Sequence, residues 1–296
     1  MDGVLLIDKP SGPTSHDVVA RMRQVLRVRA VGHTGTLDPL ASGLLPLVIG
    51  RATRLASLLS GADKTYQATV RLGFATETDD AEGEPVGEVA SSLPSDEAIE
   101  TVLNTFRGTF EQTPPSHSAK RVGGTRAYEL ARRRSATDLA PVSVTVSDLQ
   151  CLARHRDTLV IRVRASSGFY VRALARDLGA KLGCGAHIAA LRRTASGTFQ
   201  VDEALPLAEA ERLGPAVTPR VIGLSAALPH LSAVRVTALG LRRALHGNAL
   251  APVHLDGAQL QIGAGSGPVK ILSANGDLIA LAQVRAGVLH PTVVLG

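Results

Sequence analysis

Gly32-His33-Thr34-Gly35-Thr36-Leu37-Asp38-Pro39-Leu40-Ala41-Ser42-Gly43 runs straight into Leu44-Leu45-Pro46-Leu47-Val48-Ile49, a glycine-rich loop set against an apolar strand. An aspartate in such a loop is ordinarily a turn former, because its carboxylate bonds nearby backbone. The company of Asp38 is different. Small, flexible residues precede it, Pro39 fixes the chain after it, and the apolar run gives the loop a rigid wall. That arrangement would hold one carboxylate still at the edge of a sheet, where catalytic groups collect. No second carboxylate stands nearby at metal-ligand spacing, so the pattern favours a single-aspartate mechanism over one that uses a metal.

Working outward, residues 3–7 form a short apolar run closed by Asp8-Lys9-Pro10-Ser11-Gly12-Pro13, the pattern of a buried strand entering a turn. Ser15 is placed to cap a helix reaching about Leu26, with Val18, Val19, Met22, Val25 and Leu26 on one face. Downstream, residues 52–59 predict a short helix. Residues 64–72 alternate as a strand, with Tyr66, Ala68, Val70 and Leu72 sharing a face. A helix is expected near 95–106, strands over 142–152 and 159–165, and a helix over 171–182 after the break at Gly168. Pro206, Gly214, Pro215, Pro219 and Pro229 cluster around a boundary between 207 and 231. Beyond it, short apolar runs separated by Gly, Asn and Asp turns predict a small β-rich module.

Charge is distributed unevenly. Residues 76–100 carry nine acids and no Lys or Arg, and read as an exposed acidic loop leading to a helix. Residues 113–142 carry six bases and two acids. An RNA would be repelled by the first stretch and drawn to the second. Within the basic segment, Thr113-Pro114-Pro115 breaks the chain and 126–134 is expected to be helical. The Arg132-Arg133-Arg134 run suits a flexible flap that orders on a phosphate backbone, or simply a solvated charged helix. The net charge of +6 and the pI of about 9.8 favour a polyanionic partner. Arginine outnumbers lysine 27 to 5, which suits planar recognition of phosphates and base edges, although arginine-rich codon usage gives the same ratio.

Aromatic residues make up only 3% of the chain and Trp is absent, so the cores must rest on Leu, Val, Ile and Ala. Each Tyr or Phe beside a motif therefore counts for more in base stacking. Cys151 and Cys184 have neither metal-ligand nor disulfide-framework spacing, which points to a reducing cytoplasm. The N-terminus lacks signal-peptide character and no stretch is long enough and apolar enough to predict a membrane span.

Five motifs then stand in order: residues 3–12, residues 32–43, Asp63-Lys64-Thr65-Tyr66, Ser167-Gly168-Phe169-Tyr170-Val171-Arg172, and residues 182–193 ending Leu191-Arg192-Arg193. Together they resemble the successive motifs of TruB-type tRNA pseudouridine-55 synthases over residues 3–200. The remainder resembles a short PUA domain. The resemblance implies an α+β pseudouridine synthase fold, with a largely antiparallel mixed sheet flanked by helices. It implies a catalytic domain over 1–220, an RNA-clamping insertion over 113–142, and a PUA-like RNA-binding domain over 231–296.

It also implies roles for individual residues. Asp38 falls on the family's essential aspartate, which engages a uridine flipped out of the RNA, either at ribose C1′ or at the C2′ proton. The base is cut from the ribose, turned while still bound, and rejoined through carbon 5 in a pocket that must exclude water. Tyr66 matches a tyrosine that packs on the flipped base; by position alone it would be a core aromatic. Arg172 matches an arginine paired with the aspartate, and an adjacent cation holds a carboxylate charged and oriented. His33 matches a histidine that fills the space vacated by the flipped nucleotide. Leu191 matches an apolar residue of the pocket wall, and Lys9 supports the site from the first turn. RNA contacts are implied for Arg132, Arg133 and Arg134, and for Arg242 and Arg243 in the basic stretch 240–247. At His117 the family commonly has an aromatic, so the fit to the RNA is expected to differ there. The expected partner is the T-arm of transfer RNA, bound by a monomer that uses no metal and no organic cofactor. Competing readings are a synthase for another uridine, one working within a guide-RNA particle, and a non-enzymatic transfer RNA folding chaperone.

Overall fold

The computed structural model describes residues 1–115, 121–122, 125–126, 139–257 and 267–296. The basic run Arg132–Arg134 and His117 lie outside them, as does most of the helix expected over 126–134. At the edge of that segment, Thr125–Arg126 is a short strand paired with Arg121–Val122.

Ten strands join in one mixed sheet. Eight lie side by side in the order Leu205–Pro206, Gly3–Lys9, Ser42–Ile49, Ala186–Ser196, Lys64–Leu72, Thr158–Ala165, Val142–His155 and Gly108–Gln112. The short strands Val31–His33 and Phe199–Gln200 attach to Ser42–Ile49 and to Ala186–Ser196 respectively. Pairing is antiparallel except between Leu205–Pro206 and Gly3–Lys9, and between Ser42–Ile49 and Ala186–Ser196. The sheet is thus largely antiparallel with helices against it, an α+β architecture.

The continuous apolar runs near the N-terminus have a simple cause: the sheet is covered on both faces there. Leu5 and Ile7, with Leu45, Leu47 and Ile49, point into one core, shared with the helices Ser15–Leu26, Val171–Leu182 and Leu207–Leu213. Val4, Leu6, Leu44 and Val48 point the other way, into a second core. That second core is closed by Ala227, Leu228, Leu278, Leu281 and Leu295 from the C-terminal region. Alternate side chains of one strand therefore lie in different cores.

The C-terminal region forms a four-stranded sheet of Ala233–Arg235, Val269–Leu272, Leu278–Arg285 and Val288–Val294 over a small core of its own. Residues 207–231 are more ordered than a proline-rich linker. Leu207, Ala210 and Val217 pack in the first core, and Ile222 bridges to Val4.

Two local expectations change. The helix Ser15–Leu26 is capped by Thr14, whose hydroxyl accepts from the Asp17 amide while Asp17 reaches back to the Thr14 amide. Ser15 is thereby released for a contact with the loop around Asp38. The helix expected over 52–59 begins as a 3-10 turn, Gly50–Leu55, and becomes α-helical only at Ala56–Ser60.

Where the strand Ser42–Ile49 meets its parallel neighbour, Gly43 lies opposite Arg193. Its φ is +101°, and a Cβ there would come within 2.3 Å of the Arg193 carbonyl oxygen. Both the conformation and the space demand glycine. Gly43→Ala is expected to destabilise the protein by about 2–4 kcal/mol, from backbone strain and overpacking together. A shift in the urea midpoint at constant slope measures it.

Candidate active site

The loop between Val31–His33 and Ser42–Ile49 is held from three sides. From the first helix, the Ser15 hydroxyl accepts from the Leu37 amide (2.8 Å) and donates to the Leu37 carbonyl (3.0 Å). From the first turn, the Gly12 amide donates to the Pro39 carbonyl at 2.9 Å. The fully buried Lys9 ammonium donates to Pro10 and Pro13 carbonyls at 3.0 and 2.8 Å, and reaches Pro39 at 3.5 Å. From the central sheet, the buried Arg193 guanidinium donates to the Leu44 and Gly35 carbonyls at 2.7 and 3.0 Å. Leu37 is buried beneath the loop. The residue between Leu37 and Pro39 therefore has little freedom, and that residue is Asp38.

Asp38 presents its carboxylate on the open side of the loop, with Oδ2 at 2.9 Å from Arg172 Nε. The Arg172 side chain is only 7% exposed against 39% for Asp38, so the arginine is the buried half of the pair. Its Nη1 donates to the Thr78 carbonyl at 2.9 Å and faces Asp80 Oδ2 at 3.6 Å. Asp80 is itself fixed: its Oδ1 accepts from the Thr78 hydroxyl (2.5 Å) and from the Glu82 amide (3.1 Å). One helical turn on, Arg176 pairs with Asp79 at 3.3 Å and donates to the Thr113 carbonyl at 2.8 Å. Burial pushes the Asp79 carboxyl up to about 6, with Arg176 opposing that shift.

This corrects the expectation of an exposed acidic loop. Seven of the nine acids in residues 76–100 are exposed, but Asp79 and Asp80 are buried against the Val171–Leu182 helix. The two were invisible in sequence because a run of acids reads as a solvated stretch. The available signal was the adjacent pair of carboxylates inside it, matched by Arg172 and Arg176 one turn apart on a helix.

Two adjacent strands form the opposite wall. Tyr66 lies across from Arg193 on one side and from Val163 on the other, and Leu191 lies across from Ala68. Together with Asp38, Arg172 and Lys64, they line a cleft of about 280 Å³, at the small end of the range for ligand sites. Its floor includes the Thr34 hydroxyl, which is buried without a hydrogen-bond partner.

The expected residues do not all meet there. Asp38, Tyr66, Arg172 and Leu191 share the cleft, while Lys9 lies beneath the loop and outside the lining. His33 is also outside it, edge-on to His16 with ring centroids 5.6 Å apart. Its Nδ1 accepts from the Gly35 amide at 3.3 Å, and burial pushes its imidazole down to about 4. His33 is therefore a neutral ring at neutral pH, suited to packing rather than to phosphate binding. Arg242 and Arg243 lie on the C-terminal helix Ala238–Leu245, away from the cleft. Arg242 is exposed, whereas Arg243 donates through Nε to the Ala249 carbonyl at 3.0 Å and closes the turn after that helix. Among the described residues, no group of three or more His, Cys, Asp or Glu could hold a metal ion.

Comparison with known proteins supplies the family. Residues 23–171 match the model of the TruB family pseudouridylate synthase N-terminal domain, and 172–213 match the tRNA pseudouridylate synthase B C-terminal domain. The chain belongs to the TruB family of pseudouridylate synthases. It is an isomerase. A Solibacter usitatus relative, tRNA pseudouridine synthase B, is 43% identical over the full length of both chains. A Mycobacterium tuberculosis relative of the same name is 42% identical over 98% of each. Among solved structures, an H/ACA ribonucleoprotein bound to a substrate RNA containing 2′-deoxyuridine matches with a TM-score of 0.74 and 25% identity, over 99% of this chain and 85% of that one. A Cbf5-Nop10-Gar1 complex matches with a TM-score of 0.74 and 26% identity over the same shares.

Asp80 balances a guanidinium that Asp38 balances only in part. Asp80→Asn is expected to preserve RNA binding within about threefold and to lower the chemical step by about 10²-fold or more, the scale of removing a charged partner from a preorganised site. Single-turnover rates beside filter-binding affinities test this. An unchanged rate would show that Asp38 alone orients Arg172.

Proposed function

We propose that the chain isomerises uridine 55 in the T loop of transfer RNA to pseudouridine, acting as a cytoplasmic monomer. The observation that carries this reading is the Asp38–Arg172 pair, with its carboxylate half-open to a cleft that Tyr66 and Leu191 close from the far side. The cleft admits a single small unit, so a base inside a stacked helix must first be flipped out to reach it. Tyr66 offers a ring face to the flipped base and Leu191 an apolar edge that keeps water from the cut bond. Asp38 then stands where the ribose enters. It engages the sugar while the glycosidic bond opens, and the base turns in place before rejoining through carbon 5.

His33 packs into the space that the flipped nucleotide leaves. The insertion over 113–142, with Arg132, Arg133 and Arg134, grips the phosphate backbone. The C-terminal module, PUA-like in this reading, adds affinity through Arg242, with Arg243 positioned behind it. Relatives over 40% identical along the whole chain bear the name tRNA pseudouridine synthase B, which supports a stand-alone enzyme over one guided by a separate RNA.

The direct test is incubation with unmodified transfer RNA followed by chemical mapping of pseudouridine. Modification at uridine 55 is expected; modification only elsewhere sinks the site assignment. Asp38→Asn is expected to bind transfer RNA as the parent does and to lose turnover by at least about 10⁴-fold. Binding with undiminished turnover would return Asp38 to a turn residue, and a transfer RNA chaperone would become the better reading. For the insertion, replacing Arg132, Arg133 and Arg134 by Gln is expected to weaken binding and flatten its salt dependence by about 0.9 in log–log slope per lost phosphate contact. An unchanged slope would mean that the run is a solvated face.

A further inference from the structure

Three more cations are buried around the Asp38 loop, and among the described residues none has a carboxylate within ion-pairing distance. Lys9 donates to Pro10, Pro13 and Pro39 carbonyls. Lys64 donates to the Ser60 and Ala62 carbonyls, the latter at 2.7 Å. Arg193, 1% exposed, donates to the carbonyls of Leu44 and Gly35 and reaches Thr36 at 3.5 Å. Carbonyl dipoles hold these groups in place without cancelling their charge. Asp38 and Asp80 are engaged by Arg172, and the carboxylates that act on Lys9 and Lys64, Asp38 and Asp63 foremost, do so without contact. Lys64 and Arg193 both line the cleft itself.

This arrangement is costly. Burial is the main cause that pushes both Lys9 and Lys64 down to about 8; repulsion from Arg193 adds to it, while attraction from Asp38 on Lys9 and from Asp63 on Lys64 opposes it. A loop that needed only to be tied down could be tied by neutral amides or hydroxyls, as Ser15 ties Leu37. Unpaired positive charge held rigidly in a small cleft is instead what a site needs when negative charge develops there during reaction.

We propose that Lys64 and Arg193 form an electrostatic cradle for the uracil anion that exists between cleavage and rejoining. The proposal rests on the isomerase reading and adds a group that the Asp38–Arg172 pair does not supply. When the N1–C1′ bond breaks, its electron pair leaves with the base, and the negative charge spreads over N1 and the two ring carbonyl oxygens. On the ribose side, Asp38 compensates by bonding C1′ or by taking the C2′ proton. On return, C5 forms the bond to C1′ as the Asp38–C1′ bond breaks, or as Asp38 gives the proton back to C2′; the C5 proton then leaves and N1 takes up a proton, so the product is an isomer. Fixed cations stabilise the intermediate without reorganising, so it stays bound and reactive while it turns. Arg172, committed to two carboxylates, has no charge left over for this task.

The test compares single-turnover rates of target-nucleoside consumption on a T-arm RNA carrying uridine or 5-fluorouridine at the target; the latter releases the more acidic base and, having no C5 proton to lose, reports cleavage of the N1–C1′ bond rather than pseudouridine formation. Lys64→Met is expected to lower the uridine rate at least about tenfold, with RNA affinity within about twofold. On 5-fluorouridine RNA the deficit should shrink at least about threefold, because a better leaving group needs less help. Lys64→Arg should restore the chemical step relative to Lys64→Met. Equal deficits on the two bases, or no deficit at all, overturn the proposal and leave Lys64 a loop tie. A parent enzyme that consumes neither RNA overturns the isomerase reading instead. If Lys64→Met does not fold, as judged by circular dichroism, Lys64→Gln keeps a donor for the two carbonyls and carries the same comparison.

Discussion

The guanidinium of Arg172 sits between two carboxylates, Asp38 on the cleft side and Asp80 beneath, and the site is organised around that placement. A buried arginine with one half-exposed partner would be poorly compensated, because its other N–H groups would face protein without an acceptor. Asp80 and the Thr78 carbonyl supply those acceptors. The arrangement fixes the direction of Arg172 Nε and thereby the direction of the Asp38 carboxylate. Removing Asp80, the buried partner, leaves the buried guanidinium under-compensated, at about 3–5 kcal/mol.

The geometry reaches well beyond the two residues in contact. The Asp38 loop depends on Ser15 and Lys9 from the N-terminal strand and helix, and on Arg193 from the centre of the sheet. Arg172 begins the Val171–Leu182 helix. The residue before that helix, Tyr170, is held by the buried Gln112 side chain, which donates to its carbonyl at 3.1 Å and accepts from its amide at 2.9 Å. Gln112 ends the last strand before the basic segment, and Arg176 holds the next residue, Thr113. The root of the basic segment is therefore bonded to the helix that presents Arg172.

The sheet is the frame for all of this, and its rigidity comes from being buried on both faces at the loop's end. The same feature makes the N-terminal strands legible: Val4 to Ile7 and Leu44 to Ile49 are apolar without interruption because neither face meets water. The helix over 171–182 was equally plain after the break at Gly168, and in the fold Gly183 ends it at a φ of +70°. The β-rich character of the last 65 or so residues could be read from turn spacing. That these residues close the back of the ten-stranded sheet could not, since Leu278, Leu281 and Leu295 look like any module's own core.

Sequence by itself determined the strands and helices that follow strong local periodicity, and the identities of Asp38, Tyr66, Arg172 and Leu191 as a set, because ordered motifs carry that information in the chain. It did not determine Asp80, the hydrogen bonds of Lys64 and Arg193 to backbone carbonyls, or the release of Ser15 from capping to brace Leu37. Those are decided by tertiary structure. Each depends on which atoms face one another across elements far apart in sequence, and on how little water remains between them. A carboxylate in a run of acids and a lysine beside a loop look solvated until the fold buries them. The burial gives their charges a strength in the cleft that no local pattern encodes.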